Sequence, residues 1–374
     1  MRRGHVAPFL LAAGLAMAAT APVLGEPPAK SATDKDEPTT GKDKSADALI
    51  QEGQSLHDAG RYDEAIARYR QALALEPGNA TALYELAFSY HAKKDYAHCL
   101  EATREGLKHP EDQGARLYSQ QGTCLDDAGR GAEAVTAYRE GLTKYAHDGH
   151  LRYNYAVALW RQKKGAEAIP ELITTIGDEP DYDSPYMLLA VLEHEQQLDV
   201  QALFALLRYV TIDSTSERSQ QAATMALGLF KAGITTKPAA GKDAKSETQV
   251  VLSPDSLGGG GGIYSTLALS RSLAAASIES GEGQTDADRV AEALASWLGI
   301  ASELSASADA ATTGGAEWRL VAEPLLALDE HELAKPFGYL VAERAQIPGG
   351  SEWVKANGAA MRQLEAALAD APAH

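Results

Sequence analysis

Asp47 to Asn79 reads DALIQEGQSLHDAGRYDEAIARYRQALALEPGN, and this stretch decides the fold. Gly53, Gly60, Tyr62, Ala65, Tyr69, Ala72 and Pro77 stand at offsets that recur 34 or 35 residues further along. Ala87, Tyr96, Cys99 and Gly106 mark a second unit, and Gly122, Gly129, Ala134, Tyr138 and Gly141 a third. Ala156, Gly165, Ala168 and Pro180 mark a fourth; Ala190, Ala202, Leu206 and Tyr209 mark a weaker fifth. Small residues such as Gly53 and Ala65 let two antiparallel helices approach closely. Tyr69 and Ala72 lie three apart and share the inner face of the second helix. Gly60 supplies a left-handed residue where the first helix ends, and Pro77 stops the second. Each hairpin leaves one apolar side uncovered, so the units must stack into a continuous core. Pro170 falls about a turn into a helix and is expected to disturb its hydrogen bonding.

The pattern resembles the tetratricopeptide repeat (TPR) family, closely in the first unit and less so towards the fifth, over residues 46 to 214. The resemblance implies an all-α fold: a right-handed superhelix of tandem helical hairpins, followed here by a C-terminal helical region. It also implies a concave groove lined by the first helix of each unit. Carried over by offset, the groove residues are Tyr84, Phe88 and His91 in the second unit and Arg116 in the third. The fourth unit contributes Tyr153, Asn154, Trp160 and Arg161. Aromatics and Arg are common binding anchors. Tyr84, Phe88, Tyr153 and Trp160 occupy positions that do not close the helix pair, so they are read as groove-facing, with plain core as the alternative. The Lys/Asn carboxylate clamp of some members is matched only at Asn154, so capture of a free chain terminus is not expected.

The rest of the chain is read around these repeats. Residues 1–25, MRRGHVAPFLLAAGLAMAATAPVLG, have the basic start, short apolar run and small residues of a secretory signal. Residues 26–45 are polar and Pro-rich and read as a disordered tether. The solenoid with a capping helix takes 46–233, a flexible Gly-rich linker 234–262, and a C-terminal helical domain 263–374. In that last region Thr285 and Asp288 have the spacing of a capping box. A net charge of −18 repels phosphate backbones and anionic lipid, which argues against nucleic acid and membrane surfaces as partners.

A search for chemistry leaves little. His331-Glu332 is not followed by the second histidine of a zinc peptidase motif, and Gly258–Gly262 lacks the Lys-Ser/Thr of a phosphate loop. His57, His91 and His194 share one groove-side offset, but units stacked about 10 Å apart hold them too far apart for one ion. No metal and no cofactor are expected. Cys99 and Cys124 either pair as a disulfide or stand as two separate buried thiols. The sequence therefore reads as a non-enzymatic scaffold of the cell envelope, periplasmic or secreted. Its groove would hold a protein or peptide, with no membrane insertion after signal cleavage. The alternative is an envelope enzyme or enzyme accessory subunit with its site in the unmatched C-terminal helices.

Overall fold

The computed structural model describes residues 45–237, 247–250, 262–280, 284–306 and 315–369. The signal segment and the tether up to residue 44 lie outside these residues, as do 238–246 and 251–261 of the expected linker. The chain divides into two compact units, with the boundary between Glu171 and Leu172.

The first unit is built from helix pairs. They are α1 (Ala46–Asp58) with α2 (Tyr62–Leu75), α3 (Ala80–Ala92) with α4 (Tyr96–Gly106), and α5 (Gly114–Asp127) with α6 (Gly131–Lys144). A fourth pair is α7 (Gly149–Arg161) with α8 (Gly165–Asp178), within which the unit boundary falls. Helix starts repeat in kind: Ser45, Asn79 and Asp148 each accept a hydrogen bond from a first-turn amide, at 3.2, 2.9 and 2.8 Å. The turns repeat too. Gly60, Lys94, Gly129 and Lys163 all have positive φ, with Gln197 continuing the series in the second unit. After each, an amide reaches back five residues, from Arg61 to Leu56, Asp95 to Tyr90, Arg130 to Leu125 and Lys164 to Leu159. The repeat register is thus written in backbone geometry, even where Gly is replaced by Lys. Helix α8 continues through Pro170, which has no N–H to give to the helix.

Two glycine offsets set the packing. A Cβ on Gly53 would fall 2.3 Å from the Tyr69 ring, and one on Gly122 would fall 2.4 Å from the Tyr138 ring. These rings lie inside each pair. Gly106 and Gly141 do the same job between pairs, against Leu117 at 2.8 Å and Leu151 at 3.0 Å. Cys99 on α4 and Cys124 on α5 form a disulfide with Cα atoms 6.5 Å apart, joining the second pair to the third.

The second unit begins with the remainder of α8 and the fifth pair, α9 (Ser184–Glu195) and α10 (Asp199–Ile212), capped by α11 (Glu217–Phe230). Two short strands follow, β1 (Ile234–Lys237) and β2 (Glu247–Val250), antiparallel with Ile234 opposite Val250. Sequence reading placed only linker there. Then come α12 (Gly262–Ser280), α13 (Asp286–Ser305), a π-helical turn (Trp318–Ala322), α14 (Glu323–Glu330), α15 (Ala334–Arg344), α16 (Gly350–Ala356) and α17 (Gly358–Ala369). The Thr285–Asp288 capping box is formed at the start of α13.

These C-terminal helices share a core with the fifth pair instead of forming one of their own. Trp297 on α13 stacks on Phe204 of α10 at 4.9 Å and meets Phe230 of α11 edge-on at 5.8 Å. Trp318 meets Phe204 at 5.6 Å and Tyr264 of α12 at 5.8 Å. The buried Arg271 of α12 donates to the Leu229 carbonyl near the end of α11. Both indoles are fully buried, so this aromatic cluster is the centre of the unit. Among the described residues no helix is long and apolar enough to cross a membrane.

Candidate protein-binding face

Within the first unit, the first helices of successive pairs touch in order, α1 to α3, α3 to α5 and α5 to α7. Side chains at matching offsets on these helices therefore meet across pairs, and a ladder of polar contacts follows. Gln54 donates to Glu85 at 2.9 Å, and His57 Nδ1 lies 2.7 Å from Ser89 Oγ. His91 Nε2 lies 2.8 Å from Asp127 Oδ2. Arg161 Nη1 donates to Asp126 at 2.7 Å and to Asp127 at 2.9 Å. Asn154 donates to Ser119 at 2.6 Å.

The charges respond to this setting. Asp127 is held below the usual carboxylate range, chiefly by its hydrogen bond to His91 and further by Arg161. Glu85 is almost fully buried, and burial pushes its carboxyl up against the opposing pull of Gln54 and Arg116. Burial lowers the His57 imidazole.

The eight residues expected to line the groove divide into two sets. Tyr84 is 2% exposed, Tyr153 8% and Trp160 8%, so these three are core and not the solvent-facing anchors that the offset suggests. For Tyr84 the reason is the stacking itself, because the next first helix, α5, covers the ring. Tyr84 packs with Ala80 and Leu117, and the Arg116 guanidinium lies 4.1 Å above its ring. Asn154 is also buried, committed to Ser119.

Phe88, His91, Arg116 and Arg161 retain solvent access. Phe88 stacks on His57 at 4.4 Å and on Tyr84 at 6.3 Å, giving a continuous run His57–Phe88–Tyr84–Arg116. Arg116 has a neutral hydrogen-bond partner, Gln113, at 3.2 Å and no ion pair among the described residues. Sequence reasoning missed Glu85 and Ser89. Each sits one position after a groove offset, and only the facing helix brings Gln54 and His57 onto them.

The three histidines at one offset go to different places. His57 and His91 bond Ser89 and Asp127, while His194, in the second unit, lies 2.7 Å from Asp199. Among the described residues no three His, Cys, Asp or Glu side chains are grouped to hold a metal ion.

With five left-handed turns in register and glycines matched to buried tyrosines, the architecture is that of a repeat scaffold. Residues 53–94 match a model described as TPR repeat, and residues 120–183 match the tetratricopeptide repeat model. These segments are similar to tetratricopeptide repeats, in an all-α chain whose paired hairpins are followed by a C-terminal helical region.

Among curated proteins, the chain is similar to tetratricopeptide repeat protein 28 of Mus musculus, 31% identical over 110 residues. The human protein of that name is 30% identical over 110 residues. The match takes in 29% of this chain and spans only 4% of the length of either relative. Among solved structures, Pseudomonas aeruginosa PilF aligns over 50% of this chain and 84% of its own at 22% identity, with a TM-score of 0.43. TTC0263, a thermophilic TPR protein of Thermus thermophilus, aligns over 49% of this chain and 99% of its own at 16% identity, with a TM-score of 0.42.

Proposed function

We propose that the chain is a non-enzymatic scaffold that holds a protein or peptide against the first-helix face of its first unit. The observation that carries this reading is the run His57–Phe88–Tyr84–Arg116. A half-buried ring surface ends in an accessible guanidinium without an ion-pair partner among the described residues. Such a surface suits a segment that offers a carboxylate beside an apolar or aromatic side chain. TPR repeats generally bind proteins or peptides, which supports the class of partner.

The place of action in this reading is the cell envelope, in the periplasm or outside the cell. The signal-like residues 1–25 support it, and so does a disulfide between Cys99 and Cys124, a bond that persists in oxidising compartments. Mass spectrometry of the native N-terminus tests export directly; an intact Met1 on cytoplasmic protein refutes it.

Binding is tested by placing a photo-crosslinking side chain at position 88, with the exposed Leu75 on the second-helix side as control. A discrete crosslinked partner at 88, absent at 75 and lost in Arg116→Glu, is the expected outcome. Equal labelling at both positions, or labelling indifferent to Arg116→Glu, places the binding surface elsewhere.

A further inference from the structure

Glu193, near the end of α9, is 0% exposed, and among the described residues neither of its carboxyl oxygens has a hydrogen-bond partner of ordinary length. The charged group that acts on it is Glu317, the residue just before the π-helical turn. Glu317 in turn accepts a hydrogen bond from the Tyr264 hydroxyl of α12 at 3.3 Å. The next residue, Trp318, is fully buried between Phe204 and Tyr264. Among the described residues the titratable groups that act on the pair are thus each other and Tyr264, while Phe204 of α10 packs on the neighbouring Trp318. Helix α14 carries Glu323 and Asp329, which do not act on the pair, and among the described residues no cation acts on either carboxyl.

Two ionised carboxylates cannot share such a place without a counter-charge. A fully buried, unpartnered carboxyl aimed at a second carboxyl marks a bound ligand, and the smallest ligand that satisfies both is a proton. Burial holds Glu193 well above its ordinary range and moves Glu317 up to about 7. π-helical turns are locally misfitted and recur at functional sites.

We propose that Glu193, Glu317 and Tyr264 form a proton-binding site that latches the Trp318–Ala322 turn onto the fifth helix pair. In the latched form Glu193 carries the proton and donates it towards the Glu317 carboxylate, which also accepts from Tyr264. When the proton leaves to bulk water, two negative charges face one another. Glu317, the more accessible of the two, then turns out to solvent and takes the π-helical turn with it. The direction is set by linkage. A carboxyl raised in the closed form binds its proton more tightly there than in the open form. The latch is therefore strongest below the ordinary Glu value of about 4.3 and weakens as pH rises through the raised native range of the pair, which begins at about 7 with Glu317.

The test follows the full, oxidised chain from about pH 5 to about pH 8.5, reading melting temperature and acrylamide quenching of tryptophan emission. The wild type is expected to lose several degrees and to gain quenchable emission across that range. Glu193→Gln, which keeps the shape of the protonated group, flattens both curves and holds the closed form at the alkaline end. Should that variant misfold, Glu317→Gln at the more accessible partner gives the same flattening. A wild-type profile without pH dependence, or variants with the unaltered wild-type slope, overturns the proposal. Restoration of the closed form at the alkaline end by Ca²⁺, reversed by chelation, overturns it as well, because the ligand is then a metal ion.

Discussion

Gly122→Ala adds a methyl that would lie 2.4 Å from Tyr138 Cζ and 2.6 Å from both ring Cε atoms. The ring has little room to retreat, because it is buried and its hydroxyl is 3.0 Å from Thr123 Oγ1. Overpacking of this kind costs about 3 kcal/mol when the clash is with the body of a ring. The same substitution in a helix interior gains about 1 kcal/mol of helix propensity. The net expectation is a loss of about 2 kcal/mol.

Removing the ring reverses the sign. Tyr138→Ala costs about 3–5 kcal/mol by itself. In that background the methyl at position 122 meets open space, so only the propensity gain of about 1 kcal/mol remains. The double-mutant cycle should therefore show a coupling of about 3 kcal/mol. Urea denaturation of the oxidised full chain, followed by far-UV circular dichroism for the wild type, both single variants and the double, measures it. Gly53 and Tyr69, with a 2.3 Å approach, provide a second copy of the test. If Gly122→Ala destabilises equally with and without the Tyr138 ring, the close approach does not set the packing of the repeat.

The Cys99–Cys124 disulfide closes a loop over a separation of 25 residues, so its reduction should lower stability by about 3.5 kcal/mol, seen as a shift of the urea midpoint with dithiothreitol. Trp160→Ala is expected to cost about 3–5 kcal/mol as a core truncation, whereas Phe88→Ala, at a half-buried ring, should cost about 1 kcal/mol. Similar melting temperatures for the two variants would contradict the burial of Trp160. Gly338→Ala would set a Cβ 2.6 Å from the Ala291 backbone where α15 crosses α13, and backbone yields less readily than a side chain; a loss of about 3 kcal/mol is expected by thermal melting. Asp127 is held below the ordinary Asp value, so its contribution is complete above about pH 4 and is lost as pH falls through its lower native value. Asp127→Asn should therefore flatten the acid limb of a melting-temperature profile, and an unchanged limb would show that the His91 contact carries no stability.

Much of the fold is legible in residues 47–79 because the forces there are local. A left-handed turn, a helix stop and a glycine facing a tyrosine sixteen residues on are properties of one hairpin, and hairpins at a fixed offset must stack. The capping box at Thr285 is legible for the same reason. What local pattern leaves open is how completely each neighbour covers a shared surface. Tyr84, Tyr153 and Trp160 sit at offsets that a single hairpin leaves bare, yet all three are buried, and for Tyr84 it is Leu117 and Arg116 of the next first helix that close over the ring. Arg116 and Phe88 keep their access because they stand at the edge of that closure.

Tertiary structure alone decides the second unit. The sequence reads 263–374 as a C-terminal helical domain, yet its Trp297 and Trp318 pack on Phe204, and Trp297 also packs on Phe230, both rings from the last repeat and its cap. The pairing of Glu193 with Glu317 belongs to the same order of information, since no spacing rule links a helix of the fifth pair to a turn so distant along the chain. Periodicity records what a segment does to itself and to its copies. Contacts between unlike segments leave no period, so they appear only when the chain is folded.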